Sequence, residues 1–472
     1  MMKKNPETDS KSVTVLKDSQ YVLDELLKYV TPLNFREKYN LSTNAQIAMR
    51  HYYVGVISKI LAIANENNRG IATEHKRIYV YNGSYWIVSD DDELKAFLGK
   101  AAQLMGVDEV TSECHKFRET LYKQLITSSC ILKQKNTETL INLANGTFSI
   151  TSENQILREY NKEDYLKYRL SFAYDEKAIC PTFEKYLNTV LPDKYCQNIL
   201  AEYLGYLFIK NLKLEKVLLL YGSGANGKSV FADIVTALIG RENISHCSLQ
   251  GLTKPDSYDV AELSDKLLNY ATEINGKLET STFKQLVSGE AISVRKIYGT
   301  PFTMENYAKL IFNCNQLPKE VEHTKAFFRR FLIVPFGVTI PDHEQNPFLA
   351  RDIINTELSG IFNWVLDGLK RLLAQKNFTE SVAVTSEIEK YKKESDNVTM
   401  FMQETGYTKD TENNIQLSIL YSEYKSYCST NGYYYFSNSI FSKRLKNSGV
   451  KIERKSKGNY VYVKLNNVDN VE

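Results

Sequence analysis

The sequence lacks a paired-cysteine motif, a long apolar run and a strong charge bias. Its seven cysteines are scattered and none forms a C-x-x-C pair, which argues against a zinc site and against a secreted disulfide framework. No apolar run approaches the roughly 18 residues of a membrane span, so we expect no membrane association. The net charge of +3 excludes a simple polycation, and any nucleic-acid surface must therefore come from local clustering.

The remaining composition is that of an ordinary soluble globular protein of several domains, with 43% hydrophobic and 24% charged residues in 472. The start, MMKKNPETDSKS, has no apolar segment behind it, which predicts no signal peptide and a cytoplasmic location. We expect about the first 18 residues to be disordered.

The spacing of apolar residues divides the chain into five parts. Helical periods mixed with hairpin signals predict an α+β N-terminal domain; Asn82-Gly83 favours a two-residue turn, and Asn145-Gly146 marks a second turn. Alternating strand and helix patterns predict a central α/β domain. The predicted parts are the N-terminal domain 1–155, a helical connector 156–210, the central domain 211–375, a polar helical linker 376–397 and a C-terminal domain 398–472.

The strongest motif is a phosphate-binding loop, G-x-x-x-x-G-K-[ST], between a predicted strand and a predicted helix. Its glycines let backbone N–H groups turn toward phosphates, Lys228 reaches the β- and γ-phosphates, and the Ser229 hydroxyl ligates Mg²⁺. This predicts ATP and Mg²⁺ as cofactors. The loop residues are Gly222, Ser223, Gly224, Ala225, Asn226, Gly227, Lys228 and Ser229.

Two further polar residues stand at the ends of predicted strands. Glu273, after DKLLNYAT, is a candidate to help hold Mg²⁺ and to orient the attacking water. Asn315, after KLIFNC, falls where ligand-facing residues of open α/β sheets collect. A solvated glutamate and a turn asparagine are the alternatives that each residue alone would favour.

The order GSGANGKS, NYATEIN, LIFNCNQLP and FFRRFLIVPF resembles superfamily 3 helicases, and within them the phage/plasmid primase–helicase family that includes the poxvirus-type proteins. The resemblance covers roughly residues 75–465. It implies a multidomain protein whose centre is an AAA+-like α/β P-loop ATPase, acting as a hexameric ring in a bacterial host cell. It also implies that Arg330 is a finger that completes the neighbouring subunit's ATP site, with Arg329 as its support. Two surface arginines at a strand start are the alternative.

A hairpin is predicted over ISVRKIYGTPFTM, with Ile292, Val294, Phe302 and Met304 alternating. In the family such a hairpin lines the central channel, which makes its tip residues Lys296, Tyr298 and Arg295 candidates for contacts with single-stranded DNA. A solvated basic turn is the alternative. Lys284 is a weaker candidate, facing the neighbour's nucleotide.

The C-terminal part resembles a winged helix. Ser437 caps a predicted helix that Gly449 ends, with Ile440, Phe441 and Leu445 expected inside. From Asn438 to Lys464 the chain carries eight Lys or Arg against one acid, which predicts double-stranded DNA binding, although a basic face for protein contacts is the alternative. The candidate DNA-binding residues, expected outside, are Lys443, Arg444, Lys446 and, at the wing, Lys457.

Together these features predict an ATP-dependent DNA helicase that replicates a phage or mobile genetic element. An origin-binding initiator with little processive unwinding, and a switch ATPase without helicase activity, are the alternatives. The acidic run SDDDEL reads as a helix start and not as a metal site, so we expect no primase activity and a separate primase or polymerase partner.

Overall fold

The computed structural model describes residues 18–131, 138–151, 154–272, 274, 278–297, 299–318, 324–433 and 435–465. Two predicted site residues, Glu273 and Tyr298, lie outside these ranges, as does nearly all of the N-terminal segment expected to be disordered. Contacts divide the chain into two compact units, with the boundary after Ala178.

The first unit combines helices with mostly antiparallel strands. Its helices are α1 Ser19–Leu27, α2 Phe35–Lys38, α3 Met49–Glu66, α4 Asp91–Leu104, α5 Glu109–Glu113 and α6 His115–Ser128. Its strands are β1 Ile71–Glu74, β2 Arg77–Tyr81, β3 Trp86–Val88, β4 Cys130–Ile131, β5 Thr139–Leu143, β6 Gly146–Ile150 and β7 Gln155–Arg158. They form one sheet of order β3-β2-β1-β4 and another of order β5-β6-β7.

Two local sequence signals in this unit, the acidic run at Asp90 and the turn at Asn82, have different outcomes. The carboxylate of Asp90 accepts hydrogen bonds from the N–H groups of Asp92 and Glu93, so SDDDEL is the start of α4, as predicted. The turn at Asn82 differs from the prediction: Tyr81 pairs with Trp86, which leaves a four-residue loop. The Asn82 side chain bonds to the N–H groups of Ser84 and Tyr85, and this longer loop supplies those two donors.

The second unit is built on a parallel sheet. Its helices are α7 Pro181–Val190, α8 Lys194–Tyr206, α9 Lys228–Ile239, α10 Leu249–Thr253, α11 Thr280–Ser288, α12 Lys325–Phe328, α13 Leu349–Gln375, α14 Val382–Glu394, α15 Asn397–Glu404, α16 Leu417–Thr430 and α17 Asn438–Asn447. Its strands are β8 Val217–Tyr221, β9 Ile244–Ser245, β10 Leu268–Thr272, β11 Ile292–Val294, β12 Phe302–Met304, β13 Lys309–Cys314, β14 Phe331–Pro335, β15 Tyr407–Lys409, β16 Ile415–Gln416, β17 Ile452–Lys455, β18 Gly458–Val461 and β19 Val463–Leu465.

The five-stranded sheet has the order β14-β8-β13-β10-β9, and all its neighbouring strands are parallel. Its inner strands β8, β13 and β10 are mostly apolar and almost entirely buried, as expected when helices cover both faces of a sheet. Leu219, Phe312 and Ile333 share one cluster with Phe283 of α11. Because β8 lies between β13 and β14, the loop that follows β8 begins between the carboxyl ends of those two strands.

Residues 376–397, expected as a polar helical linker, are helical over Val382–Glu394 and pack on the sheet. Tyr391 is buried in the same cluster as Phe283, and its hydroxyl donates to the Pro318 carbonyl at 2.7 Å. The segment is therefore part of the core that fixes the end of β13.

Candidate active site

The phosphate-loop motif connects β8 to the start of α9. Gly224, Ala225 and Gly227 all have positive φ angles. A Cβ on Gly227 would lie 2.7 Å from the Val190 side chain, and the Tyr186 hydroxyl donates to the Gly227 carbonyl at 2.8 Å. Glycine is required there both by φ and by the close approach of α7. The sequence did not assign Tyr186 or Val190 to the site, because α7 contains no motif that indicates its contact with Gly227.

Lys228 begins α9, and its ammonium is satisfied within the loop. Its Nζ donates to the Gly222 carbonyl at 2.7 Å and to Asn226 Oδ1 at 2.9 Å. The Asn226 amide in turn donates to the Phe336 carbonyl at 2.9 Å, which ties the loop to the end of β14. Burial lowers the pKa of Lys228. The ammonium is thus held at the loop by neutral oxygen acceptors, and phosphate oxygens are stronger acceptors for the same donor.

The first turn of α9 faces solvent on the side of the loop. Ser223, Ala225 and Ser229 are exposed, whereas Asn226 and Lys228 are buried. The N–H groups at the start of a helix have no intrahelical acceptor and carry a positive dipole end, which suits an anion. The residues present therefore fit the phosphate groups of a nucleoside triphosphate, with the Ser229 hydroxyl accessible to the metal ion that such a ligand carries.

The strands beside β8 end at the same edge as the loop. Asn313 pairs in register with Leu220 and with Thr272, and Asn315 is exposed just past the end of β13. Thr272 is the last residue of β10, directly before Glu273. We call this side of the sheet, where the parallel strands end, the carboxyl edge; it carries the loop, Asn315 and the residue that precedes Glu273.

The arginine pair lies at the opposite, amino edge of the sheet. The Val217 N–H at the start of β8 donates to the Arg330 carbonyl at 2.8 Å, so Arg330 directly precedes the paired part of β14. The five residues of β14 correspond to a strand length of about 16 Å at about 3.3 Å per residue. Neither arginine is therefore placed to reach the phosphate loop of its own chain.

The two arginines differ in exposure. The Arg330 side chain is 9% exposed; it donates to Ser288 Oγ at 2.9 Å and to the Ala326 carbonyl. The Arg329 side chain is 50% exposed, and its guanidinium contacts Glu215. The same Glu215 oxygen lies 3.4 Å from Arg330. Glu215 therefore contacts both guanidinium groups, a role that sequence reasoning missed because Glu215 carries no motif.

The predicted hairpin is present, with Ile292 paired to Met304 and Val294 to Phe302. Arg295 and Lys296 are exposed at its tip. The Arg295 guanidinium lies over the Tyr258 ring at 5.4 Å and donates to its hydroxyl at 3.0 Å. Lys284, the weaker candidate, lies on α11.

The C-terminal module contains α16, α17 and a sheet of order β16-β18-β17. Ser437 caps α17, Gly449 has a positive φ after its end, and Phe441 and Leu445 are buried, all as predicted. Lys443, Lys446 and Lys457 are exposed.

The expectations for Arg444 and Ile440 were wrong. The Arg444 side chain is only 11% exposed, pairs with Asp396 at 3.0 Å and stacks over Phe436 at 3.7 Å. Ile440, expected inside, is 45% exposed. Arg444 faces the start of α15, 48 residues earlier, and a helical period cannot reveal such a partner.

Comparison with family models gives three matches along the chain. Residues 48–192 match a family described as D5 N terminal like, residues 220–330 match a family of unknown function, DUF5906, and residues 393–471 match a family described as Poxvirus D5 protein-like. Two viral relatives also match, "Putative helicase L207/L206" of Acanthamoeba polyphaga mimivirus and "Putative helicase 121R" of Invertebrate iridescent virus 3. These matches and relatives support a phage/poxvirus-type primase–helicase family for the chain.

The similarity of the chain to the two relatives is distant. The mimivirus protein is 24% identical over 218 residues, which are 44% of this chain and 22% of that protein. The iridescent virus protein is 21% identical over 329 residues, which are 61% of this chain and 34% of that protein. The matched part therefore spans about a third or less of the length of either relative.

Among solved structures, two apo A-form structures of the NrS-1 C-terminal region superpose on the chain with TM-scores of 0.49 and 0.46. Their identities are 10% and 12%; they cover 86% and 85% of this chain and are themselves covered to 98%. Scores this low do not establish a shared fold. Within the described residues, no helix combines the length and the hydropathy needed to cross a bilayer.

Proposed function

We propose that the chain is an ATP-driven DNA helicase of superfamily 3 that serves the replication of a viral or mobile genetic element. The observation that carries the proposal is the placement of a phosphate loop and an arginine pair at opposite edges of one parallel sheet. Numbered along the chain, the sheet strands have the order 5-1-4-3-2, which supports an AAA+-like core. The bacterial host expected from the sequence stays a prediction.

At the carboxyl edge, the loop holds the triphosphate of ATP. Lys228 exchanges its loop acceptors for phosphate oxygens, and Ser229 and Glu273 hold Mg²⁺, which neutralises phosphate charge when bound. Asn315 orients the attacking water from the end of β13. Each of these roles is a proposal, and that of Glu273 rests on the sequence motif alone.

At the amino edge, the arginine pair completes the ATP site of a neighbouring copy in a ring, for which we propose six subunits. A finger arginine stabilises the charge that spreads over the transferred phosphate. The sequence favours Arg330 as the finger. The exposure of Arg329 and the internal contacts of Arg330 support the reverse assignment, in which Arg329 reaches the phosphate and Arg330 holds the strand start.

Two basic features are proposed to contact DNA. The hairpin tip with Lys296 and Arg295 faces single-stranded DNA in the channel, and Tyr298 joins them on the sequence motif alone. The C-terminal module acts as a winged helix on duplex DNA through Lys443, Lys446 and Lys457. Arg444 is left out of this set because its guanidinium is committed to Asp396. Priming is assigned to a separate primase or polymerase.

The test is strand displacement. The purified protein is incubated with ATP, Mg²⁺ and a forked duplex, and both hydrolysis and release of the displaced strand are measured. We expect DNA-stimulated hydrolysis together with displacement. Hydrolysis and assembly without displacement would favour an origin-melting initiator, and hydrolysis that ignores DNA would favour a switch ATPase. Templated primer synthesis by the purified chain would overturn the assignment of priming to a partner.

A further inference from the structure

Helix α7 is held against helix α13 at its first turn. The Glu357 carboxylate, on α13, accepts hydrogen bonds from the Thr182 N–H at 3.0 Å and from the Phe183 N–H at 2.9 Å. These N–H groups belong to the first turn of α7, where no intrahelical acceptor exists, and Cys180 at the N-cap position makes no side-chain bond to them. Glu357 therefore does for α7 what an N-cap side chain does in other helices.

The junction between α7 and α13 is tightly packed around this carboxylate. Glu357 is only 6% exposed, and among the described residues no cation lies within ion-pair distance of it, so the positive dipole end of α7 stabilises its charge. A Cβ on Gly360 would lie 2.3 Å from the Ile179 carbonyl, and the rings of Phe183 and Trp364 meet edge to face at 5.2 Å between centroids. The position of α13 therefore fixes the start of α7.

One turn further along, α7 contacts the phosphate loop. Phe183, Tyr186 and Val190 are spaced by three and four residues, so they share one helix face. The Tyr186 hydroxyl donates to the Gly227 carbonyl at 2.8 Å, and a Cβ on Gly227 would lie 2.7 Å from the Val190 side chain. Tyr186 is buried, and burial raises its pKa, so the hydroxyl keeps the proton that it donates.

The Gly227 carbonyl belongs to the peptide group that leads into Lys228. In a planar trans peptide the C=O and the following N–H point in opposite directions. The Gly227 carbonyl points along α9, where it also accepts from the Phe231 N–H at 3.1 Å. The Lys228 N–H therefore points the other way, toward the loop. By holding the carbonyl, Tyr186 fixes the direction of this N–H.

We propose that Glu357 and Tyr186 are positioning residues for the ATP site and that they act in series. Glu357 fixes the start of α7, α7 presents Tyr186, and Tyr186 orients the Lys228 N–H toward a phosphate that ATP and ADP share. The inference rests on the proposed function, because it concerns the same phosphate loop. Tyr186 lies on the opposite side of the Gly227 peptide from the phosphates, so both residues act through the loop.

The variant Tyr186→Phe removes only the hydroxyl. We expect the affinities for ATP and ADP to fall by the same factor, about threefold to tenfold, as for the loss of one hydrogen bond. The KM for ATP should rise while kcat changes by less than about twofold, because the catalytic groups stay in place. The matched control is Tyr203→Phe, which removes a buried hydroxyl that donates to the Leu310 carbonyl at 2.7 Å. It should lower the Tm similarly and leave both affinities unchanged.

The variant Glu357→Gln tests the other end of α7. Glutamine keeps the shape of the side chain but turns one acceptor into a donor that faces an N–H group. We expect ATP affinity to fall about threefold to tenfold. The matched control is Glu202→Gln, since Glu202 is also a buried carboxylate and accepts from the Thr379 N–H at 2.8 Å. This control should lower the Tm without changing ATP affinity.

The double variant Glu357→Gln with Tyr186→Phe tests whether the two residues act in series. We expect its loss of ATP affinity to equal the larger of the two single losses, whereas independent effects would multiply and overturn the serial action. All affinities are measured below the Tm of every variant. Equal losses in a variant and its control, or no loss in Glu357→Gln, would also overturn the proposal. A wild type that binds neither ATP nor ADP would reject the proposed function as well.

Discussion

The two edges of the parallel sheet carry different kinds of charge arrangement. At the carboxyl edge, a single ammonium, that of Lys228, is surrounded by loop oxygens and by the start of a helix. At the amino edge, the guanidinium groups of Arg329 and Arg330 lie together, and one carboxylate, that of Glu215, contacts both of them. The carboxyl edge is arranged like an anion-binding site, whereas the amino edge is arranged like one side of such a site.

The difference teaches that one chain holds two complementary halves that cannot meet within it. The length of the strands separates them by about 16 Å, which exceeds the reach of an arginine side chain. In the proposed ring, a second copy of the chain brings its carboxyl edge to this amino edge. The account of a ring therefore rests on where the charges lie in the sheet.

The largest expected effect comes from substitutions at the two edges, which should differ in whether ATP binding is lost together with ATP hydrolysis. Lys228→Ala should abolish ATP binding and hydrolysis together, whereas Arg329→Ala should retain ATP affinity within a few-fold and lose hydrolysis by a factor of about a thousand. Binding of a fluorescent ATP analogue and steady-state hydrolysis measure both quantities. The separate variant Arg330→Ala decides the assignment of the finger: if it alone retains binding and loses hydrolysis, the sequence-based preference for Arg330 is correct.

A smaller effect is expected at Gly227, which tests the geometry of the carboxyl edge. Gly227→Ala places a Cβ in contact with Val190 at a positive φ, so the loop must shift. We expect ATP affinity to fall about tenfold, with a stability cost of about 1–2 kcal/mol. Gly432→Ala, also at positive φ but with no atom near its Cβ, is the control and should cost stability without affecting ATP. Equal ATP affinity in both variants would contradict the described contact with α7.

The C-terminal module offers a comparison that leaves both edges untouched. Arg444→Met should lower the free energy of unfolding of the module by about 2–3 kcal/mol, because Asp396 loses its buried partner. Lys443→Met, one residue earlier and exposed, should leave stability unchanged and reduce the salt dependence of duplex DNA binding by about one counterion. Thermal unfolding and DNA titrations at several salt concentrations check both. A stability loss for Lys443→Met equal to that for Arg444→Met would contradict their different placement.

The smallest effect is expected for Glu215→Gln at the amino edge. Its carboxylate contacts both arginines but is partly exposed, so its loss should cost about 1 kcal/mol of stability or less. ATP affinity should not change, since the phosphate loop lies at the other edge. Denaturant titration and analogue binding provide the two readouts, and an altered ATP affinity would contradict the separation of the two roles between the edges.

Much of the carboxyl edge was predictable because its residues are contiguous. The spacing from Gly222 to Ser229 and the apolar runs on either side predicted β8, the loop and α9, and the structure has all three. The hairpin at Ile292–Val294 and Phe302–Met304 was predictable for the same reason, since alternation is a local signal.

The remainder depends on contacts between distant parts of the chain. Tyr186 and Gly227 become neighbours only because α7 packs against the start of α9. In the sequence Arg444 belongs to a run of basic residues, whereas in the fold it forms an ion pair with Asp396, which directly precedes α15. Periodicity assigns a residue to a helix face, but it does not show what that face meets.

The central claim is that ATP is hydrolysed between two copies of the chain, with one edge from each. Mixing Lys228→Ala with Arg329→Ala, and separately with Arg330→Ala, and measuring hydrolysis against the mixing ratio tests it most directly. The account predicts that each variant is nearly inactive alone and that at least one of the two mixtures recovers hydrolysis, with a maximum at an intermediate ratio. No recovery at any ratio in either mixture, with assembly intact, would contradict a site shared between subunits.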